Sequence, residues 1–321
     1  GDGMASAGGA SAVVCAGHET DLFCGELKAR AERNGVDLQL IDEKELHDLE
    51  PNARTVQKAL FSPTTSTVDP REVCRHIASG FPPNVNILCG RRFMSRERHR
   101  VFTQRETIHY RYLFNAAGLY ADRVARQFGA GRDFTMIPFK GIYLRYRDDD
   151  LLQRHVYPVP NLRNPFLGVH FTKTVDGHVK IGPTAIPAFW RENYGLIERF
   201  DWREFGEIVS REALLLLRNR FGFRGLALAE MRKYRRGFFI RESRKLVNEL
   251  DRNRFGGHAL PGIRAQLLNL KTNALVMDFL IEHAENSTHV LNAVSPAFTS
   301  AFSFASYILD ASQNQMRDLA I

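Results

Sequence analysis

In the stretch GVHFT, His170 stands between two large apolar residues, Val169 and Phe171. Strand alternation turns it away from both. A neutral imidazole, with an ordinary pKa of about 6.5, can take a proton from a hydroxyl group. A hydrogen-bonded core histidine is the competing reading. Arg264, in IRAQLLNL, offers a guanidinium that can grip a carboxylate through two parallel bonds. Pairing with a structural carboxylate such as Asp278 is its alternative. Lys140, just before Gly141, is either a cation for an anionic ligand or an exposed strand lysine. Tyr143 and Tyr157 are hydroxyl donors or packing residues. The run Asn115-Ala116-Ala117-Gly118 follows an apolar strand and precedes a helix. Small residues there let a ligand approach backbone at a strand's C-terminal end, or simply let strand and helix pack. Ser295 and Pro296 read as cap and first residue of the last helix, whose dipole would favour an anion.

No metal site is expected. The four cysteines, Cys15, Cys24, Cys74 and Cys89, form no C-x-x-C pair and have no histidine pair at zinc spacing. They read as scattered free thiols suited to a reducing compartment. The formal charge of +8 gathers in Arg91–Arg100 and Arg232–Lys245. The second cluster, with Met231, Tyr234, Phe238 and Phe239 interleaved, reads as one amphipathic helix. A solvated helix face explains it, and no finger, RNP-like motif or lysine-rich tail speaks for nucleic acid. No segment reaches the roughly 20 apolar residues that cross a bilayer; the nearest, Ala293 to Leu309, is broken by Pro296.

With 44% hydrophobic residues and 23 phenylalanines, the chain can build a sizeable core. Residues 1–11 read as a flexible lead-in. AVVCAG is a short strand, followed by a helix to about Glu32 and the strand VDLQLI. Asp42 and Asp69 read as helix caps, the latter followed by Pro70 at the first helical position. VNILCG, HRVFTQ and TIHYRYLFNAAG read as strands, with YLFNAA apolar enough to be covered on both faces. Residues 134–186 alternate strands with Pro and Gly, as in an antiparallel sheet. Residues 202–250 read as helical, and IRAQLLNL, LVMDFLIEH and THVLNA as strands before a final helix. The fold class is therefore α/β, with α+β character.

FNAAGLYADRVARQFG (114–129), YPVPNLRNPFLGVHFT (157–172), PGIRAQ (261–266) and HVLNAVSPAFTSA (289–301), in this order and spacing, resemble the L-2-hydroxyglutarate oxidases and dehydrogenases. These belong to the glycine/D-amino-acid oxidase group of flavoproteins. PFKGIY and VKIGP fit the same family, and the likeness runs from about Val13 to Leu309. Two departures stand out. GDGMASAGG lacks the spacing of the G-x-G-x-x-G turn that holds the FAD pyrophosphate, so the N-terminal βαβ unit is expected to be missing. PTTSTVD has Ser66 where relatives usually carry glycine.

The resemblance implies a FAD-binding domain interrupted by an antiparallel-sheet substrate domain. The expected boundaries are 12–69 and 134–255 for the substrate domain, with 70–133 and 256–321 as the remainder of the FAD-binding domain. It implies His170 as base for a 2-hydroxy acid, Arg264 as carboxylate ligand, and Lys140 for a second carboxylate or the charge of reduced flavin. Asn115, Ala116, Ala117, Gly118, Gly262, Ser295 and Pro296 would then attend noncovalently bound FAD. Oxygen or a quinone-linked acceptor would reoxidise the flavin, with the basic helix open to a peripheral membrane contact. The compartment would be intracellular: cytoplasmic or membrane-peripheral in a bacterium, mitochondrial in a eukaryote. The other expectation is a catalytically incompetent fragment that acts, if at all, as a binding partner.

Overall fold

The computed structural model describes residues 11–14, 18–159, 168–195, 197–218, 223–232, 235–293 and 297–317. The chain forms two compact units. Unit 1 takes residues 1–85, 141–186 and 227–262, and unit 2 takes 86–140, 187–226 and 263–321. Residues 187–226, expected with the antiparallel sheet, thus group with unit 2. The cause is visible in two links: Arg191 pairs with buried Asp122, and Ala188 N donates to Pro138 O. Helix Pro70–Ser79 stays with unit 1 and buries none of its residues.

Unit 1 is built on an eight-stranded sheet. Its order is Phe255–His258, Leu144–Tyr146, Val179–Gly182, His170–Lys173, His155–Pro158, Ser11–Val14, Lys58–Ser62 and Gln39–Asp42. Every pairing is antiparallel except Ser11–Val14 with His155–Pro158, which is parallel. The strand therefore begins at Ser11, inside the stretch expected to be a lead-in. Alternation sends Phe61, Leu144, Tyr146, Val156, Phe171, Val179 and Ile181 to one face, where they form a core with Phe239, Ile240 and Leu46. Burial of a side chain such as Phe171 contributes about 1.5–3 kcal/mol. On the other face, Leu60 packs with Cys24 and Leu40. The rest of that face carries His155, Tyr157, His170, Thr172 and Lys180.

Unit 2 has three smaller sheets. One joins Ile186–Pro187, Phe134–Gly141, Gly262–Asn269 and Ala274–Leu275; its end residues Gly141, Ile186 and Gly262 group with unit 1. A second is the meander Phe93–Glu97, Arg100–Thr103, Thr107–His109. The third places Ser287–Asn292 between Leu280–Ala284 and Leu113–Asn115, parallel to the latter. Its core gathers Met136, Leu267, Leu291 and Ala125.

Both aspartate caps form as expected. Asp42 closes a capping box with Glu45 on helix Glu43–Leu49, and Asp69 accepts from Arg71 N. Several long-range expectations fail. YLFNAA is not covered on both faces, for Phe114 is 42% exposed, and among the described residues the strand Leu113–Asn115 has one neighbour in its sheet. VNILCG forms no strand; its Val85, Ile87 and Leu88 stay exposed and pair with nothing regular. LVMDFLIEH divides into Ala274–Leu275 and Leu280–Ala284. The basic stretch is not one continuous described helix but Phe223–Arg232 followed by Arg236–Ser243. Its described arginines stay exposed, with Arg236 also donating to Phe255 O and Arg244 to Leu250 O. Cys24, expected as a free thiol, is disulfide-bonded, whereas Cys74 and Cys89 are free and exposed.

Candidate active site

His170 opens strand His170–Lys173, and its neighbours Val169 and Phe171 lie in the opposite-face core as alternation requires. It is 8% exposed. Its Nδ1 lies 3.2 Å from Gly168 O. A carbonyl only accepts, so Nδ1 carries the hydrogen and Nε2 keeps its lone pair. Burial pushes the imidazole down to about 4, outweighing the Gly168 bond, which acts the other way. The ring is therefore neutral at physiological pH, with Nε2 available to accept a proton.

Two tyrosines frame it. The Tyr157 ring lies 4.6 Å from the His170 ring and Tyr143 lies 6.5 Å away. Burial raises both phenols above their ordinary value, so they remain protonated donors. Gly182 pairs with His170 across the sheet, at φ 149°. A Cβ there would come within 2.9 Å of Tyr143 Cδ1, so glycine is what lets the Tyr143 ring approach.

One strand over, His155 supports this arrangement and was missed in the sequence. Lys173 N donates to its Nδ1 at 3.0 Å, so Nε2 carries the hydrogen and meets Thr67 Oγ1 at 2.7 Å. Thr67 Oγ1 in turn donates to Lys173 O. Burial lowers the His155 pKa, and protonation would set a second N–H against that of Lys173. No local pattern announces a bond between Thr67 and a histidine 88 residues away.

Lys140 and Arg264 are in unit 2, on strands that neighbour in one sheet. Both are half-buried, and burial pulls each pKa below its ordinary value. The Lys140 amine donates to Gly195 O at 3.5 Å. His170 belongs to unit 1.

The Asn115–Gly118 turn takes the expected place after its strand. Asn115 is 4% exposed and makes three bonds: Oδ1 accepts from Ala117 N, and Nδ2 donates to Ala121 O and His289 Nδ1. His289 Nε2 then donates to Ser287 Oγ. This second histidine, also missed, is held near 4 by burial and by the charges of His283 and Arg96. Ala116, Ala117 and Gly118 are exposed, and no atom lies within 4 Å of where a Gly118 Cβ would stand. Nothing crowds the backbone at Gly118, so a ligand group can approach it closely there, which fits a dinucleotide cofactor. Gly262 is likewise exposed and open. Ser295 and Pro296 lie outside the described residues, and the last helix begins at Ala301, after a turn at 297–300. Among the described residues no cluster of His, Cys, Asp or Glu could hold a metal ion, and no helix is long and apolar enough to cross a membrane.

The chain is similar to the mitochondrial L-2-hydroxyglutarate dehydrogenase of Nematostella vectensis, 30% identical over 315 residues that cover 88% of this chain and 67% of the relative. The L-2-hydroxyglutarate dehydrogenase of Indibacter alkaliphilus is 31% identical over 313 residues, covering 93% and 76%. In fold it is similar to the FAD-bound L-alpha-glycerophosphate oxidase of Mycoplasma pneumoniae, with TM-score 0.66 at 20% identity over 96% of this chain and 74% of the other. Glycine oxidase of Geobacillus kaustophilus gives 0.58 at 14% identity, over 95% and 72%. The family described as FAD dependent oxidoreductase matches residues 11–310. A flavoenzyme is thus favoured over a fragment that only binds. With its exposed alanine–glycine turn and its neutral, buried histidine, this chain belongs to the family of FAD-dependent oxidoreductases.

Proposed function

We propose that the chain oxidises an L-2-hydroxy acid to the 2-oxo acid, with L-2-hydroxyglutarate as substrate. The observation that carries this is the fixed tautomer of His170 beside two protonated tyrosines. Bound FAD would supply the hydride acceptor. His170 Nε2 takes the proton of the C2 hydroxyl, while Gly168 O keeps the ring oriented through Nδ1–H. Tyr157 restrains the ring by contact. Arg264 is the proposed ligand of the substrate carboxylate, its burial strengthening each charge-assisted bond, and Lys140 a second cation. Asn115 to Gly118 and Gly262 would hold the cofactor by backbone approach; Ser295 and Pro296 are proposed near it from sequence alone.

The relatives' names support the substrate: those cited act on L-2-hydroxyglutarate. Oxygen or a quinone-linked carrier would reoxidise the flavin. The exposed Arg232, Arg235 and Arg241 are open to a peripheral membrane contact, and salt should then release the protein from anionic vesicles. The mitochondrial naming of eukaryotic relatives supports a mitochondrial setting if the source is a eukaryote.

The test is the visible spectrum of the FAD-loaded, desalted protein under anaerobic conditions. L-2-hydroxyglutarate should bleach the flavin and the D-enantiomer should not. His170→Gln should retain the flavin while bleaching ~10²–10⁴-fold more slowly, the usual weight of a general base. A colourless protein, no bleaching, or an unimpaired His170→Gln variant would each refute the reading.

A further inference from the structure

The polar face of the eight-stranded sheet carries a cation, Lys180, that no described residue holds by a hydrogen bond or salt bridge. It is half-buried on strand Val179–Gly182. Among the described residues it feels the charge of Asp176, and its N–H donors remain for a ligand anion. In the strand register Lys180 stands directly opposite Thr172, and His170 lies two residues from Thr172 on the same face. Lys180 and Thr172 line a cavity of about 620 Å³ with Thr67, Asp69, Arg71 and Tyr143. Tyr143 joins this cavity to the His170 ring.

The cavity's carboxylates are already committed. Asp69 caps helix Pro70–Ser79 through Arg71 N at 2.7 Å. Asp176 accepts from the Thr174 hydroxyl and lies 3.5 Å from His178 Nε2. The charged hydrogen-bond donors left to meet a ligand are the Lys180 amine and, at the exposed rim, the Arg71 guanidinium.

We propose that this cavity receives the second carboxylate of a dicarboxylic 2-hydroxy acid, with Lys180 as its ligand and Thr172 beside it, so that Lys180 sets a preference for diacids over monoacids. This rests on the reading of His170 as base at the C2 hydroxyl. The spacing suits a five-carbon substrate. Two residues of antiparallel strand separate the rows by ~6.8 Å. The distal carboxyl carbon lies three C–C bonds from C2, ~4 Å when extended, and the carboxylate oxygens and flexible lysine chain cover the remainder.

The test compares L-2-hydroxyglutarate with L-2-hydroxypentanoate, which has the same carbon chain without the distal carboxylate, on the FAD-loaded protein. Lys180→Met should raise KM for the diacid at least ~10-fold, the weight of one charge-assisted bond, with little change in kcat. KM for the monoacid should shift less than about twofold, and Lys180→Arg should recover part of the loss. Calorimetric titration with glutarate against pentanoate should show the same selective weakening without turnover. Equal effects on both acids, no effect, or a selective loss in Lys140→Met instead would overturn the assignment. Wild-type protein that oxidises the monoacid but prefers neither acid sinks the role of Lys180 alone. Wild-type protein that oxidises neither sinks the His170 reading with it.

Discussion

Burial of His170 should make folding stability depend on pH in a way that one substitution removes. Folding lowers this imidazole from about 6.5 to about 4. The unfolded chain therefore binds the proton more readily. His170 costs nothing above about pH 6.5, and stability drains away as pH falls towards 4. With these two values the loss between pH 7 and pH 5 works out at about 2 kcal/mol, approaching about 3 kcal/mol by pH 4. The side chain is 8% exposed, so solvent screening discounts little of this. His155 and His289 are displaced in the same direction and contribute to wild type and variant alike. The assay is urea unfolding of wild type and His170→Gln at pH 7 and pH 5. It should be followed by circular dichroism, because both tryptophans, Trp190 and Trp202, lie in unit 2 while His170 is in unit 1. Wild type should lose about 2 kcal/mol more than the variant between the two pH values. Losses equal to within about 0.5 kcal/mol would refute the buried, neutral histidine and with it the availability of Nε2.

Two further substitutions probe unit 2. Arg191→Met strands the carboxylate of Asp122, which is fully buried and held by two guanidinium bonds of 2.7 and 2.9 Å. It should cost about 3–5 kcal/mol, read by tryptophan fluorescence in urea, and Asp122→Asn added to it should recover part of that; a loss below about 1 kcal/mol would show the pair to be dispensable. Arg264→Lys keeps the charge but loses the planar fork, so KM for the hydroxy acid should rise at least ~10-fold. An unchanged KM would remove Arg264 from the carboxylate site.

Features that depend on near neighbours along the chain can be read from the residues directly. The capping of Asp42 and Asp69, the helical start at Pro70 and the facing of His170 away from Phe171 each follow from residues within a few positions. The order of elements and the Asn115–Gly118 turn were legible for the same reason. Pairings across long separations were not. YLFNAA reads as a strand covered on both faces, yet what flanks it depends on residues far along the chain, and among the described residues only Ser287–Asn292 pairs with it. VNILCG has the composition of a strand but finds no partner edge among the described residues, and backbone without a partner stays irregular. The tautomer of His170 depends on a backbone carbonyl that composition cannot reveal, and that of His289 on an amide 174 residues away. The residue types that could do chemistry were therefore visible in the sequence. Their protonation, partners and shared face were decided by the tertiary structure, because burial and hydrogen-bond geometry exist only once distant strands have been brought together.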